Sequence, residues 1–165
     1  MGFLDLFNSQ SPTPRIHSVL PAIAKQQILR GQLPILQPNN LFLKQDEICH
    51  YADRAIYEKR IVNKRRVRKN NSYSVPGLFK GHRIHLGGGN TQYVNDVCYT
   101  KVKGFLYITT RRIIFVGGHD GFDRKLDELV AITPYANCIE LQFDDETLRL
   151  FVPDGNLSHM VLRLI

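Results

Sequence analysis

The chain has 165 residues, 43% of them hydrophobic, so it has enough apolar material for one compact domain with room for an appendage, and global disorder is excluded. Its formal net charge of +7 and pI near 9.5 favour anionic partners: nucleic acid, acidic lipid headgroups or an acidic protein face. Three scattered cysteines, Cys49, Cys98 and Cys138, argue against a disulfide framework and suit a reducing cytoplasm, and no apolar run approaches the ~18 residues of a membrane span.

Residues 2–7, Gly-Phe-Leu-Asp-Leu-Phe, are apolar for a chain start. They lack the basic lead and long apolar stretch of a signal peptide, and Leu6 stands where myristoylation requires Ser or Thr. They read either as a small anchor onto a membrane or partner or as a tail folded back on its own domain; six residues bury too little area for stable membrane binding alone, which favours the tail. Residues 8–15 read as a linker. Residues 18–30 read as a helix, with Ser18 as cap, Pro21 in the first turn and Gly31 at the end. Leu20, Ile23, Ala24 and Ile28 form its apolar face. Residues 31–40 return to turn chemistry. The first 40 residues are thus read as a helical appendage and linker, and 41–165 as the main domain.

Asp46-Glu47 is an expected turn. Beyond it, Cys49, Tyr51, Ala55 and Tyr57 all fall on odd positions, which suggests extended structure from about residue 48. Residues 52–69 are also rich in helix formers, so strand and helix both stand as readings of that stretch. It is the main electrostatic feature. Between residues 54 and 69, eight Lys or Arg (Arg54, Lys59, Arg60, Lys64, Arg65, Arg66, Arg68, Lys69) face one acid, Glu58. Residues 119–146 invert the balance, with eight acids against Arg124 and Lys125. Such segregation implies a binding face or self-association of basic arm with acidic edge.

Residues 70–77 read as a loop. Residues 78–86 read as a strand, the return leg of a hairpin whose first leg is the basic stretch. Gly87-Gly88-Gly89-Asn90 ends it; no helix and no Lys-Ser/Thr pair follows, so a turn is the better reading than a phosphate cradle. Residues 97–103 read as another strand, with Val97, Tyr99 and Val102 apolar.

Residues 104–118 then give the clearest hairpin signal, two β-branched and aromatic runs around Thr-Thr-Arg-Arg, fenced by glycines. Phe105, Tyr107 and Thr109 alternate with Leu106, Ile108 and Thr110; Ile114 and Val116 alternate with Ile113 and Phe115. Both faces are largely apolar, which favours a small barrel, filled inside and covered outside. The 18–30 helix is the expected cover. Thr110 resists positive φ, so a longer or type I turn is expected at the corner.

After a turn at 119–121, residues 130–135 read as a strand that Pro134 ends or places at an edge. Residues 138–143 and 147–152 form a hairpin around Asp144-Asp145-Glu146. Asn156 is read as the cap of a last helix, whose Leu157, Met160, Val161, Leu164 and Ile165 form one face.

The run "GFLYITTRRIIFVGG", followed by "KLDELVAITPY" and "CIELQF", resembles a GRAM domain of the pleckstrin-homology superfamily. The matching positions are Gly104, Leu106, Tyr107, Ile108, Thr109, Arg112, Ile113 and Phe115. Thr110 stands where the family often has Asn, and the chain has no Trp. The resemblance implies a mainly β fold with flanking helices: a partly open barrel closed by the C-terminal helix, in a small protein of bacterial look. It also implies Lys and Arg on the first strands facing lipid phosphates, and Lys64, Arg66 and Arg68 have that pattern.

Catalytic and metal motifs are weak. His82 and His85 lie three apart, as do no two residues on one face of a strand, and adjacent Cys49 and His50 meet the same objection. Asp144-Asp145-Glu146 reads as a solvated hairpin tip. No nucleophile elbow or nucleotide fingerprint is present. The expectation is a non-enzymatic binding module without cofactor. Its anion-binding residues would be Lys59, Arg60, Lys64, Arg65, Arg66, Arg68 and Lys69, set against an anionic membrane or acidic protein face from the cytoplasmic side. The alternatives are a nucleic-acid-binding protein using the same arm, with Tyr51, Tyr57 and Tyr73 adding stacking, and a homo-oligomeric scaffold.

Overall fold

The computed structural model describes residues 13–70, 73–76 and 83–165. The apolar start at 2–7, most of the linker, the first part of the 78–86 strand and His82 lie outside them. The chain is mainly β. Helix α1 (Ala22–Leu29) is followed by β1 (Cys49–Asn70), β2 (Tyr73–Pro76), β3 (Arg83–Leu86), β4 (Gly89–Thr109), β5 (Arg112–Gly117), β6 (Gly121–Lys125), a 3-10 turn (Leu126–Glu128), β7 (Leu129–Pro134), β8 (Cys138–Phe143), β9 (Thr147–Phe151) and α2 (Gly155–Leu164). Seven strands form one open sheet in the order β6-β5-β4-β1-β9-β8-β7, and β2 pairs with β3 separately.

Two compact units are present, residues 13–59 with 101–165 and residues 60–100, and β1 and β4 contribute to both. Helix α1 belongs to the first unit and its core.

In that unit the odd positions Tyr51, Ala55 and Tyr57 of β1 are buried with Val102, Leu106 and Ile108 of β4, Ile113 and Phe115 of β5, and Ile139, Leu141, Leu148 and Leu150 of β8 and β9. Period-two alternation places them on one face. Residues 52–69 are strand, so the helical reading falls. At the corner Arg124 of β6 reaches Asp145 beside β8 and lies 4.6 Å from the Phe143 ring centroid, so the sheet curls until its first edge meets the β8–β9 hairpin.

Leu20, Ala24 and Ile28 recur every fourth residue and enter the main core, while Ile23 is 74% exposed. Helix α1 is thus not the outer cover of the hairpin. The outer face buries Cys49, Tyr107 and Ile114, a patch small enough for Leu36, Leu41 and Leu43 of the preceding loop. Leu36 N–H donates to the Cys49 carbonyl at 2.9 Å, which straps that loop down. Ser18 does not cap α1; its hydroxyl donates to Asp53. Gly31 does close the helix, at φ 74° with its N–H on the Ile28 carbonyl.

Three further expectations change. The basic strand's sheet neighbour is β4, and the 83–86 segment pairs instead with β2. Residues 97–103 and 104–109 are one strand: Gly104 does not stop it but pairs with Gly117, where an added Cβ would strike the Val116 carbonyl. Helix α2 is capped by Asp154, whose carboxylate accepts from Leu157 N–H at 3.0 Å, because the helix already begins at Gly155. Its Leu157 and Val161 are buried, whereas Leu164 and Ile165 at the end are exposed. Pro134 ends β7, an edge strand, as read.

Candidate functional site

Strand geometry orders the basic stretch. Side chains alternate, so Arg60, Lys64, Arg66 and Arg68 share one face, with Val62 among them. All five are exposed. Positions two apart lie roughly 6.6 Å apart, so the row spans about 26 Å. Arg65 is exposed on the opposite face, between Ile61 and Val67, which are half-buried. No carboxylate among the described residues forms an ion pair with Arg60, Lys64, Arg65, Arg66 or Arg68. The Lys69 side chain lies outside the described residues.

Lys59 differs from the others. It belongs to the first unit, and its ammonium donates to Asp120 at 2.5 Å. That hydrogen bond raises the Lys59 pKa and lowers that of Asp120. Lys59 ties β1 to the β5–β6 turn.

Most of the acidic stretch is likewise answered within its own unit. Asp123 pairs with Arg112, Glu140 with Arg149, and Glu128, Asp145 and Glu146 with Arg124. Glu58, the one acid of the basic stretch, also holds Arg149. The segregation read along the chain is in space a set of local ion pairs plus a row of second-unit cations with no ion pair among the described residues.

The second unit also exposes apolar surface. Tyr93 is 70% exposed and Tyr99 62%, and Val62, Val94 and Val97 are exposed as well. The odd spacing of 93, 97 and 99 is the sequence signal for this exposed set, which composition alone does not reveal. Tyr51 and Tyr57 are buried in the first unit, so neither stacks on a base. Tyr73 has no described side chain.

Two buried reactive groups are engaged. The Cys49 thiol donates to the Tyr51 carbonyl, and His50 Nδ1 lies 2.6 Å from the Pro34 carbonyl. Burial pushes the Cys49 and Cys138 thiols up to about 11, far from thiolate chemistry. No three His, Cys, Asp or Glu side chains are placed to hold a metal ion among the described residues, and no helix among them is long and apolar enough to cross a membrane. Compared with family models, curated proteins and solved structures, the chain matches none.

Proposed function

We propose that the chain is a non-catalytic, pleckstrin-homology-like binding module whose second unit docks peripherally on an anionic lipid surface from the cytoplasmic side. The strand order, the curled sheet and the C-terminal helix packed on β7 and β8 support the fold reading. The observation that carries the function is the row Arg60, Lys64, Arg66 and Arg68 on one face of β1, in a unit that also exposes Tyr93 and Tyr99. Near an acidic membrane each Lys or Arg contributes about 1 kcal/mol, so these four reach roughly 4 kcal/mol without a deep pocket. Exposed Tyr and Val beside them suit a headgroup layer, where an apolar body and a polar tip are both satisfied. Tyr51 and Tyr57 are buried and add no stacking surface for a nucleic acid.

The test is co-sedimentation with phosphatidylserine-rich and pure phosphatidylcholine vesicles. Binding to the acidic vesicles alone, lost when Arg60, Lys64, Arg65, Arg66 and Arg68 are all changed to Ala, is the expected result. Equal binding to both vesicles, or a salt-sensitive DNA gel shift without vesicle binding, overturns it.

A further inference from the structure

On the outer face of the first unit, three separate segments line an open pocket of about 450 Å³. Arg15, Ile16 and His17 approach from the lead into α1, Arg54, Ala55 and Ile56 from β1, and Lys103, Gly104 and Phe105 from β4. The lining contains Arg15, Arg54, Lys103 and His17, and no carboxylate. None of Arg15, Arg54 or Lys103 forms an ion pair among the described residues.

The lead into α1 is held in place. Asp53 is 1% exposed, and its carboxylate accepts from the Ser18 hydroxyl at 2.5 Å and the Val19 N–H at 2.7 Å. That clamp fixes residues 18 and 19 on β1, and so brings Arg15 and His17 over Arg54. Alternation does the rest: Tyr51, Ala55 and Tyr57 fill the core, so Arg54 and Ile56 point the other way. On β4, Val102 and Leu106 are in the core, and Lys103 and Phe105 face out.

We infer that this pocket is a binding site for a phosphomonoester joined to an apolar stem. Cations with no lining acid select an anion. Two guanidinium forks and an ammonium match phosphate oxygens, which accept several charge-assisted hydrogen bonds at once. Ile16, Ile56 and the Phe105 ring offer an apolar wall beside them. The volume falls within the roughly 300–1,000 Å³ of small-molecule sites, more than a bare phosphate fills. The ligand is either the head of a single-phosphate lipid or a soluble phosphomonoester. The inference stands on the first unit and does not rest on the cation row of the second.

The test uses the full chain and three probes: inorganic phosphate, a soluble short-chain alkyl phosphate, and vesicles containing phosphatidic acid. Titration calorimetry is expected to show saturable one-to-one binding of the alkyl phosphate, with inorganic phosphate at least about tenfold weaker. Arg54→Ala and Lys103→Ala should each weaken binding by about tenfold, and Arg54→Lys by less. Amide resonances of Gly104 and Phe105 should shift on titration. The variant with the five second-unit cations changed to Ala should bind the alkyl phosphate unchanged, which separates this site from the membrane reading. Binding of the vesicles alone, with the same dependence on Arg54 and Lys103, assigns the lipid source. Absence of saturable binding to all three probes overturns the inference, as does binding that survives the Arg54→Ala, Lys103→Ala double variant or that the five-cation variant abolishes.

Discussion

Glu47 and Arg112, 65 residues apart, grip each other through both prongs: Nε donates to Oε1 at 2.7 Å and Nη2 to Oε2 at 3.0 Å. The Glu47 side chain has no exposed surface, and that of Arg112 is 12% exposed. Further donors complete the carboxylate, the Lys44 N–H at 2.8 Å and the Thr109 hydroxyl at 2.7 Å. Thr109 Oγ1 in turn accepts from the Arg111 and Arg112 N–H groups, so the Thr110–Arg111 corner turns without positive φ. One cluster thus fastens the 42–48 loop to the hairpin corner. Arg112→Ala leaves a buried carboxylate unpaired, a break that typically costs about 3–5 kcal/mol. Urea unfolding of the variant should show a loss of that size, and Arg112→Lys, which keeps charge but not the fork, a smaller one.

The same cluster makes stability acid-sensitive. Burial alone would raise the Glu47 pKa, but its hydrogen bonds with Arg112, Lys44 and Thr109 outweigh it and bring the value down from 4.5 to about 2. A carboxyl depressed in the folded state stabilises above its unfolded pKa and loses that contribution as pH falls through the folded value. The window is therefore from about 4.5 down to about 2, and the contribution at neutral pH is about 3 kcal/mol. Denaturant midpoints measured across that range should fall more steeply for the wild type than for Glu47→Gln; parallel curves contradict the assignment.

What the sequence disclosed follows the range of each interaction. Local alternation placed β1, because Tyr51, Ala55 and Tyr57 keep a period of two through a stretch that helix propensity also favours, and tertiary burial decided between them; Cys49, on the same parity, lies instead in the outer-face patch. The β8–β9 hairpin was legible for the same reason: its pairing spans only a tight turn. The neighbour of the basic strand was not, since β4 reaches it past a complete intervening hairpin, and nothing local marks that pairing. Gly104 misled because a glycine needed for close approach to Val116 looks in sequence like one that ends a strand. At the sites, the cation row was visible as composition. The pocket was not, because Arg15, His17, Arg54 and Lys103 come from three segments with no common motif.

Exposure also sorts the three thiols. Cys98 is exposed, while Cys49 and Cys138 are buried and pushed up to about 11. At pH 7 a thiol of pKa 11 is ionised to about one part in ten thousand, and thiolate is the reacting species. Maleimide labelling of the native protein should modify Cys98 rapidly and the other two only on unfolding. Cys98→Ser should abolish the fast phase.

Tyr93 and Tyr99 test the apolar half of the membrane proposal apart from its charges. Both stand largely in solvent, so Tyr93→Ser with Tyr99→Ser should leave the melting temperature nearly unchanged. The double variant should nevertheless bind acidic vesicles several-fold more weakly, with the same salt dependence as the wild type. Unaltered vesicle affinity would assign the contact to the cations alone.

Gly155 is the point where α2 is set against the sheet. Its N–H donates to the Ala136 carbonyl at 3.2 Å, and the space a Cβ would take is already filled by the Tyr135 and Cys138 carbonyl oxygens. Those oxygens are backbone atoms, and the Cys138 strand continues into Ile139 and Leu141 of the core, so neither yields to a rotamer change. Gly155→Ala gains helix propensity of about 1 kcal/mol in principle, yet here it must push the helix start away from the β7–β8 turn. Overpacking of this kind costs about 1–3 kcal/mol and outweighs the gain, because the displaced helix also carries buried Leu157 and Val161. Thermal unfolding should show Gly155→Ala below the wild type, whereas Asn156→Ala, at an exposed position one residue on, should leave it little changed.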